Sequence, residues 1–338
     1  MTDTTSPSAS LADRTHTIAA GGPVGAIAFL GPKGRETAAF ALGEETVLLV
    51  DPAGTERHVT AHRGGILAAA ADGTRLVTGG DDGRIVSTAA DGTATEIATD
   101  PKRRWIDQVA VHRDGVVAWS AGKQVFVKPA KGELRSTEVT STVGGLAFAP
   151  KGLRLAIAHY NGASLWFPNA AAPPERLEWK GSHLAVTFSP DGRFLVTAMQ
   201  EPTLHGWRLA DGKHMRMSGY ANKVRSMSWT GDGRALATAG ADTLVIWPFA
   251  GKDGPMGQQP RLLAPTDSLV TAVACHPAEP VAAVGYANGM VLLTRLEDGA
   301  EIVVRRPGDA PVSALAWTKA GSRLGFGTED GAAGLLAL

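Results

Sequence analysis

The chain repeats itself, and that limits what it can fold into more than any single residue does. The segment GSHLAVTFSPDGRFLVTAMQEPTLHGWRLADG, ending at Gly212, has variants from one end of the sequence to the other. VRSMSWTGDGRALATAGADTLVIWPFAG runs from Val224 to Gly251, VGGLAFAPKGLRLAIAHYNGASLWFPNA from Val143 to Ala170, and VTAVACHPAEPVAAVGYANGMVLLTRLEDG from Val270 to Gly299. A short period of this kind means one supersecondary unit copied many times, each too small to bury its own apolar face. The copies register on the bulky or apolar residue that ends each first strand: Phe29, Ala69, Val111, Phe148, Phe188, Trp229, Cys275 and Trp317. Successive differences are 40, 42, 37, 40, 41, 46 and 42 residues. Each copy holds three short runs rich in Val, Ile, Leu, Thr and aromatics, parted by turns, as strands and hairpins require. Asp72-Gly73, Asp114-Gly115, Asp191-Gly192 and Asp232-Gly233 mark the first turn; Asp91-Gly92, Asp211-Gly212 and Asp298-Gly299 follow the third strand. Asp and Gly tolerate the left-handed backbone of tight turns.

This pattern resembles the WD40 family of β-propellers from about Thr15 to Leu338. The family links a His before the first strand, a Ser or Thr in the second, an Asp in the next turn and a Trp in the third. No copy here matches all four. His62, Thr78 and Asp82 match in the second copy, with Thr88 at the Trp position. Thr238, Asp242 and Trp247 match in the sixth, with Tyr220 where His is expected. Trp166 and Trp207 keep the Trp in the fourth and fifth copies, with Asn161 and Glu201 near the Asp position. Incomplete polar networks leave most of the cohesion to apolar packing between sheets.

The resemblance implies an all-β, WD40-type β-propeller. Eight copies predict eight four-stranded blades. Seven blades, the alternative, would make the first copy, Val24 to Gly54, a decoy. The last copy lacks a fourth strand, and His16-Thr17-Ile18-Ala19 has no partner in its own copy. The N-terminal strand is therefore expected to close the ring and cover both sheet edges.

A propeller uses 338 residues as one domain, because blades pack only on neighbours. Residues 1–14, polar and poor in apolar side chains, are expected to be disordered. The one expanded connection runs from Pro248 to Thr266. Lys and Arg number 33 and so do Asp and Glu, a balance that disfavours a general nucleic-acid or anionic-membrane binder. The single cysteine, Cys275, reads as a small core residue and fits a reducing compartment. No secretory signal and no apolar run of about 20 residues is visible, so a cytoplasmic protein is expected. Heavy use of Ala and Gly points to a GC-rich bacterial source.

Motifs for catalysis are missing. His58 and His62 stand four apart on predicted strand and turn, where they do not share the helical face of a zinc pair. Gly79-Gly80-Asp81-Asp82-Gly83 is a hairpin turn with no following Lys-Ser/Thr or helix. No Gly-x-Ser-x-Gly elbow occurs. No catalytic, cofactor-binding or metal residue is assigned, and no cofactor is expected.

By analogy of fold, function lives on the rim of the central channel. The repeat register places Trp105 and Asp107, preceded by Arg103 and Arg104, on that rim in the third copy. Tyr160 stands there in the fourth, Lys223 and Arg225 in the sixth, Asp81 in the second, Leu269 in the seventh and His183 in the fifth. Trp, Tyr and Arg bring large area or forked hydrogen bonding at modest entropic cost, which suits binding. Trp119, Trp229 and Trp317 read as packing residues, and Arg305-Arg306 as solvated. The leading expectation is a monomeric scaffold whose rim binds a protein partner. An enzyme or small-ligand sensor at the channel mouth is the alternative. An RNA-associated factor using Arg103, Arg104 and Trp105 is the second alternative.

Overall fold

The computed structural model describes residues 10–338. Among them there is no α-helix; one short 3-10 turn, Ala12–Arg14, precedes thirty strands. The repeat unit is an antiparallel meander of four strands that alternate direction. The starts of the first and third strands and the ends of the second and fourth therefore lie at one end of every unit. That end is the rim.

Burial follows position in the meander. Middle strands are sandwiched between neighbouring units and read as continuous small or apolar runs: Thr37–Leu42, Val117–Ala121 and Phe194–Met199 are buried at every residue. Fourth strands, such as Glu56–Thr60, face solvent and are mostly polar. Each of eight apolar clusters lies between two successive units, and one joins the eighth unit to the first through Ala314, Ala333, Leu335, Phe40 and Leu48. Burial in these seams supplies the main cohesion.

The N-terminal strand does close the ring. Thr15–Ala19 pairs antiparallel with Ala332–Ala337, Thr15 opposite Leu336 and Ala19 opposite Ala332. A glycine finishes the seam. A Cβ on Gly327 would stand 2.4 Å from Val24 Cγ1, so only glycine lets the last unit close on the first.

The expectation of eight separate sheets is corrected. Hydrogen bonds group the strands into seven sheets, six of four strands and one of six. The first copy is no decoy, because Val24–Leu30, Thr37–Leu42, Thr46–Val50 and Glu56–Thr60 form a complete sheet. The merger lies between the fourth and fifth units. Glu175–Phe188 is one long strand whose first part pairs back with Tyr160–Leu165 and whose last part, from His183, pairs forward with Phe194–Met199. Leu155–Trp166 likewise reverses at Asn161-Gly162, both at positive φ, 65° and 137°. Seven sheets thus carry eight repeat units.

Of the segment expected to be disordered, residues 1–9 lie outside the described residues. Ser10–Arg14 is ordered against the seventh unit: Ser10 bridges Val303, and Leu11 N donates to Val303 O at 2.7 Å. The long connection after Pro248 also has a structural task. Arg193 of the fifth unit donates to Gly251 O (3.1 Å) and Phe249 O (3.2 Å), and Arg208 pairs with Asp253. The connection straps the sixth unit to the fifth at the end opposite the rim. Cys275 is buried as expected, and burial pushes its thiol up to about 12. Trp119 is buried. Trp229 and Trp317 are half-buried and reach back one unit, donating to Thr187 Oγ1 (3.0 Å) and Ala274 O (2.9 Å).

Candidate functional site: the channel rim

A backbone device shapes the rim. First strands open on a buried residue that wedges against the preceding unit, and the ladder slips by one residue just after it. This occurs at Gly25, Leu67, Leu184, Thr271 and Ser313. A bulge re-aims the extra residue out of the ladder. Leu67 and Leu184 are therefore exposed at the channel mouth, at 42% and 38%. Sequence reading missed both, because each sits inside an apolar run. Thr271 and Ser313 instead tie units together, donating to Val312 O (2.6 Å) and Val24 O (2.5 Å).

The expected rim residues divide into groups. Trp105 and Tyr160 are the most exposed large aromatics among the described residues, at 66% and 57%. Asp107 is half-buried, accepts from Ser120 Oγ at 3.3 Å, and burial raises its carboxyl above the usual range. Arg103 is exposed at φ 52°. Arg104 is committed to structure: it forks onto Asp100 (Nη2–Oδ2 2.6 Å) and donates to Ala121 O. Asp81 lies over Gly64. Lys223, Arg225 and Leu269 come together in one cleft of about 450 Å³ spanning the sixth to eighth units. Tyr160 lines a separate cleft of about 540 Å³ with Ser141, Arg176, Trp179 and Lys180.

His183 is not on the rim. It is buried, bonded through Nδ1 to Thr197 Oγ1 (2.7 Å) and through Nε2 to Trp179 O (3.1 Å). It fills the His place of the polar network in the fifth unit, with Trp207 beside it (ring centroids 5.7 Å). It is the buried residue that opens the first strand of its unit, one place before the bulge at Leu184, as Val24 and Ile66 open theirs. Next to it His205 is wholly buried, stacked on Trp179 at 4.0 Å, with both ring nitrogens unpartnered. Burial, with His183 and His214 adding, lowers its pKa to about 3.

The other networks follow their residues. In the second unit His62 bonds Thr78 Oγ1 (2.8 Å) and Asp82 Oδ1 (3.0 Å). Burial works against the Asp82 carboxylate, but hydrogen bonds from Arg63 N, His62 and Arg84 N hold its pKa below the ordinary value. Thr88, at the Trp place, is buried with its hydroxyl unpartnered. In the sixth unit Trp247 Nε1 donates to Tyr220 Oη (2.7 Å), which meets Thr238 Oγ1 (2.7 Å). Asp242, expected in this network, is exposed and outside it. A phenol has one polar atom where an imidazole has two, so nothing reaches the carboxylate. In the fourth unit Trp166 is buried, and His159 on the second strand bonds Ser164 Oγ (2.9 Å), a pairing the sequence did not reveal.

Among the described residues no cluster of three or more His, Cys, Asp or Glu is placed to hold a metal ion. No helix among them is long and apolar enough to cross a membrane.

Comparison with known proteins agrees with this architecture. The WD domain, G-beta repeat family model matches residues 54–94 and 213–247, the segments holding His62-Thr78-Asp82 and Tyr220-Thr238-Trp247. Centriole proteome protein 16 of Chlamydomonas reinhardtii is 30% identical over 168 residues, 47% of this chain. The chain matches 8% of that protein's length, and the relative lends no support to a bacterial source. The crystal structure of the computationally designed Ika8 protein superimposes with a TM-score of 0.76 at 19% identity, covering 94% of this chain and 96% of the other. That likeness shows the fold. Two segments of the chain thus match the WD40 repeat, and they stand in a ring of like units that together form a β-propeller.

Proposed function

We propose that this propeller is a cytoplasmic interaction scaffold that works by binding, not catalysis, and docks a segment of a protein partner on its channel rim. The observation that carries this reading is the exposure of Trp105 and Tyr160 on the rim end of adjacent units. Leaving two large aromatics in water forfeits burial that a docked partner would recover. Leu67 and Leu184 extend the apolar arc across the second to fifth units, and Arg103, Lys223 and Arg225 edge it with charge. Aromatic anchors ringed by polar groups are what binding hot spots consist of.

Affinity capture from lysate with mass spectrometry tests it, comparing wild type with Trp105→Ala/Tyr160→Ala/Lys223→Glu/Arg225→Glu. A protein recovered by wild type and lost by the folded variant is the expected result. A partner held equally by both would move the docking face elsewhere.

A further inference from the structure

The cleft between the sixth and eighth units differs chemically from the aromatic arc. Lys223 and Arg225 stand on one wall; Leu269 and Pro311 supply apolar surface on the others. Neither cation takes part in any ion pair among the described residues, and Lys223 has a single polar contact, to Gln200 Oε1 at 3.3 Å. Two arginines near this end are committed. Arg104 is held by Asp100, and Arg84 by Glu96 and Asp82. The hydroxyls along the cleft are spent on backbone: Thr271 on Val312 O, Ser313 on Val24 O, Ser226 on Val273 O. What remains to recognise a ligand is two cations outside any ion pair beside an apolar wall, with the Asn222 amide and one carboxylate, Glu329, on the eighth unit.

We infer that this cleft takes an acidic peptide segment with an apolar anchor, supplied by the partner protein. The inference rests on the reading of the rim as a docking face and names the chemistry of what docks. Opposite charge on the partner satisfies Lys223 and Arg225, speeds encounter and rejects basic segments. An apolar side chain beside the acid covers Leu269 and Pro311. A nucleic acid fits less well, because no exposed aromatic ring lines this cleft for a base to stack on.

Panning a displayed library of random dodecapeptides against the full chain, then measuring the winners by fluorescence anisotropy, tests it. Enriched peptides should carry Asp or Glu beside Leu, Ile, Phe or Met. Their affinity should fall at least about tenfold with Lys223→Glu/Arg225→Glu, and weaken with rising salt. Lys223→Gln and Arg225→Gln, each milder, should show intermediate losses if the double variant folds poorly. Peptides without acids, or acidic peptides indifferent to these substitutions, would overturn the inference. So would failure to enrich any peptide, or a single-stranded RNA oligomer binding in place of peptides with the same variant sensitivity. Peptides lost on Trp105→Ala/Tyr160→Ala yet blind to Lys223 and Arg225 would sink this inference and leave the rim reading standing.

Discussion

The second and sixth units solve one problem with different atoms. In the second, His62 uses both ring nitrogens to join Thr78 to Asp82, and the Trp place holds Thr88. In the sixth, the Tyr220 hydroxyl joins Thr238 to Trp247, and Asp242 is left in solvent. Each keeps three members of a four-part network and drops a different fourth. What both retain is a buried group, placed before the first strand, that bonds the second strand. A His carries two polar atoms and can hold a carboxylate; a Tyr carries one and reaches an indole. Residue identity at one position thus decides which distant residue is structural.

The largest expected effect is on the second unit. His62→Ala removes a wholly buried ring together with its bonds to Thr78 and Asp82, and should cost about 3–5 kcal/mol in denaturant unfolding. A loss under about 1 kcal/mol would mean apolar packing alone holds this unit. Tyr220→Phe keeps the ring and removes only the bridge. It leaves the Trp247 N–H buried without a partner, so about 1–3 kcal/mol should be lost.

The two units should also fail at opposite ends of the pH scale. The Asp82 pKa is depressed in the folded chain, so its stabilisation is present above the ordinary value of 3.8 and is lost as pH falls below it. Buried His159, His183 and His205, also depressed, lose stability as pH falls below 6.5, so the share of Asp82 is the difference between wild type and Asp82→Asn. Burial raises the Tyr220 phenol from 10.0 to about 12. Its stabilisation is therefore complete below pH 10 and is lost as pH rises towards 12. Thermal midpoints across pH should show an alkaline decline that Tyr220→Phe reduces and Asp82→Asn leaves alone. The smallest effect belongs to Asp242→Ala, which should change stability by less than about 0.5 kcal/mol. A loss like that of Asp82→Ala would place Asp242 back in the network.

Much of this was legible in the chain. The repeat register found every first strand, and the unpaired His16-Thr17-Ile18-Ala19 foretold the closing strand. The repeat register puts Trp105 and Tyr160 at the rim end of their units, and both are exposed. The failures share a cause. The repeat register puts His183 on the rim, but it is the buried residue that opens its strand, one place before a bulge. Leu67 and Leu184 look like core residues until a bulge adds one residue to the ladder. Asp242 matches a motif whose partner, Tyr220, has a single polar atom and spends it on Thr238 and Trp247. Ser10–Arg14 has the composition of a free tail, yet finds an open edge on the seventh unit.

Sequence by itself determined the unit, its number of copies, its turns and the way the ring closes, because period, apolar alternation and Asp-Gly turns act over short stretches of chain. Only tertiary structure decided which polar residues meet, which apolar residues face the channel, and where two units fuse into one sheet. Those outcomes depend on a bulge, a wedge or one side chain's reach across a seam, and such distances are set between units that lie far apart in the chain.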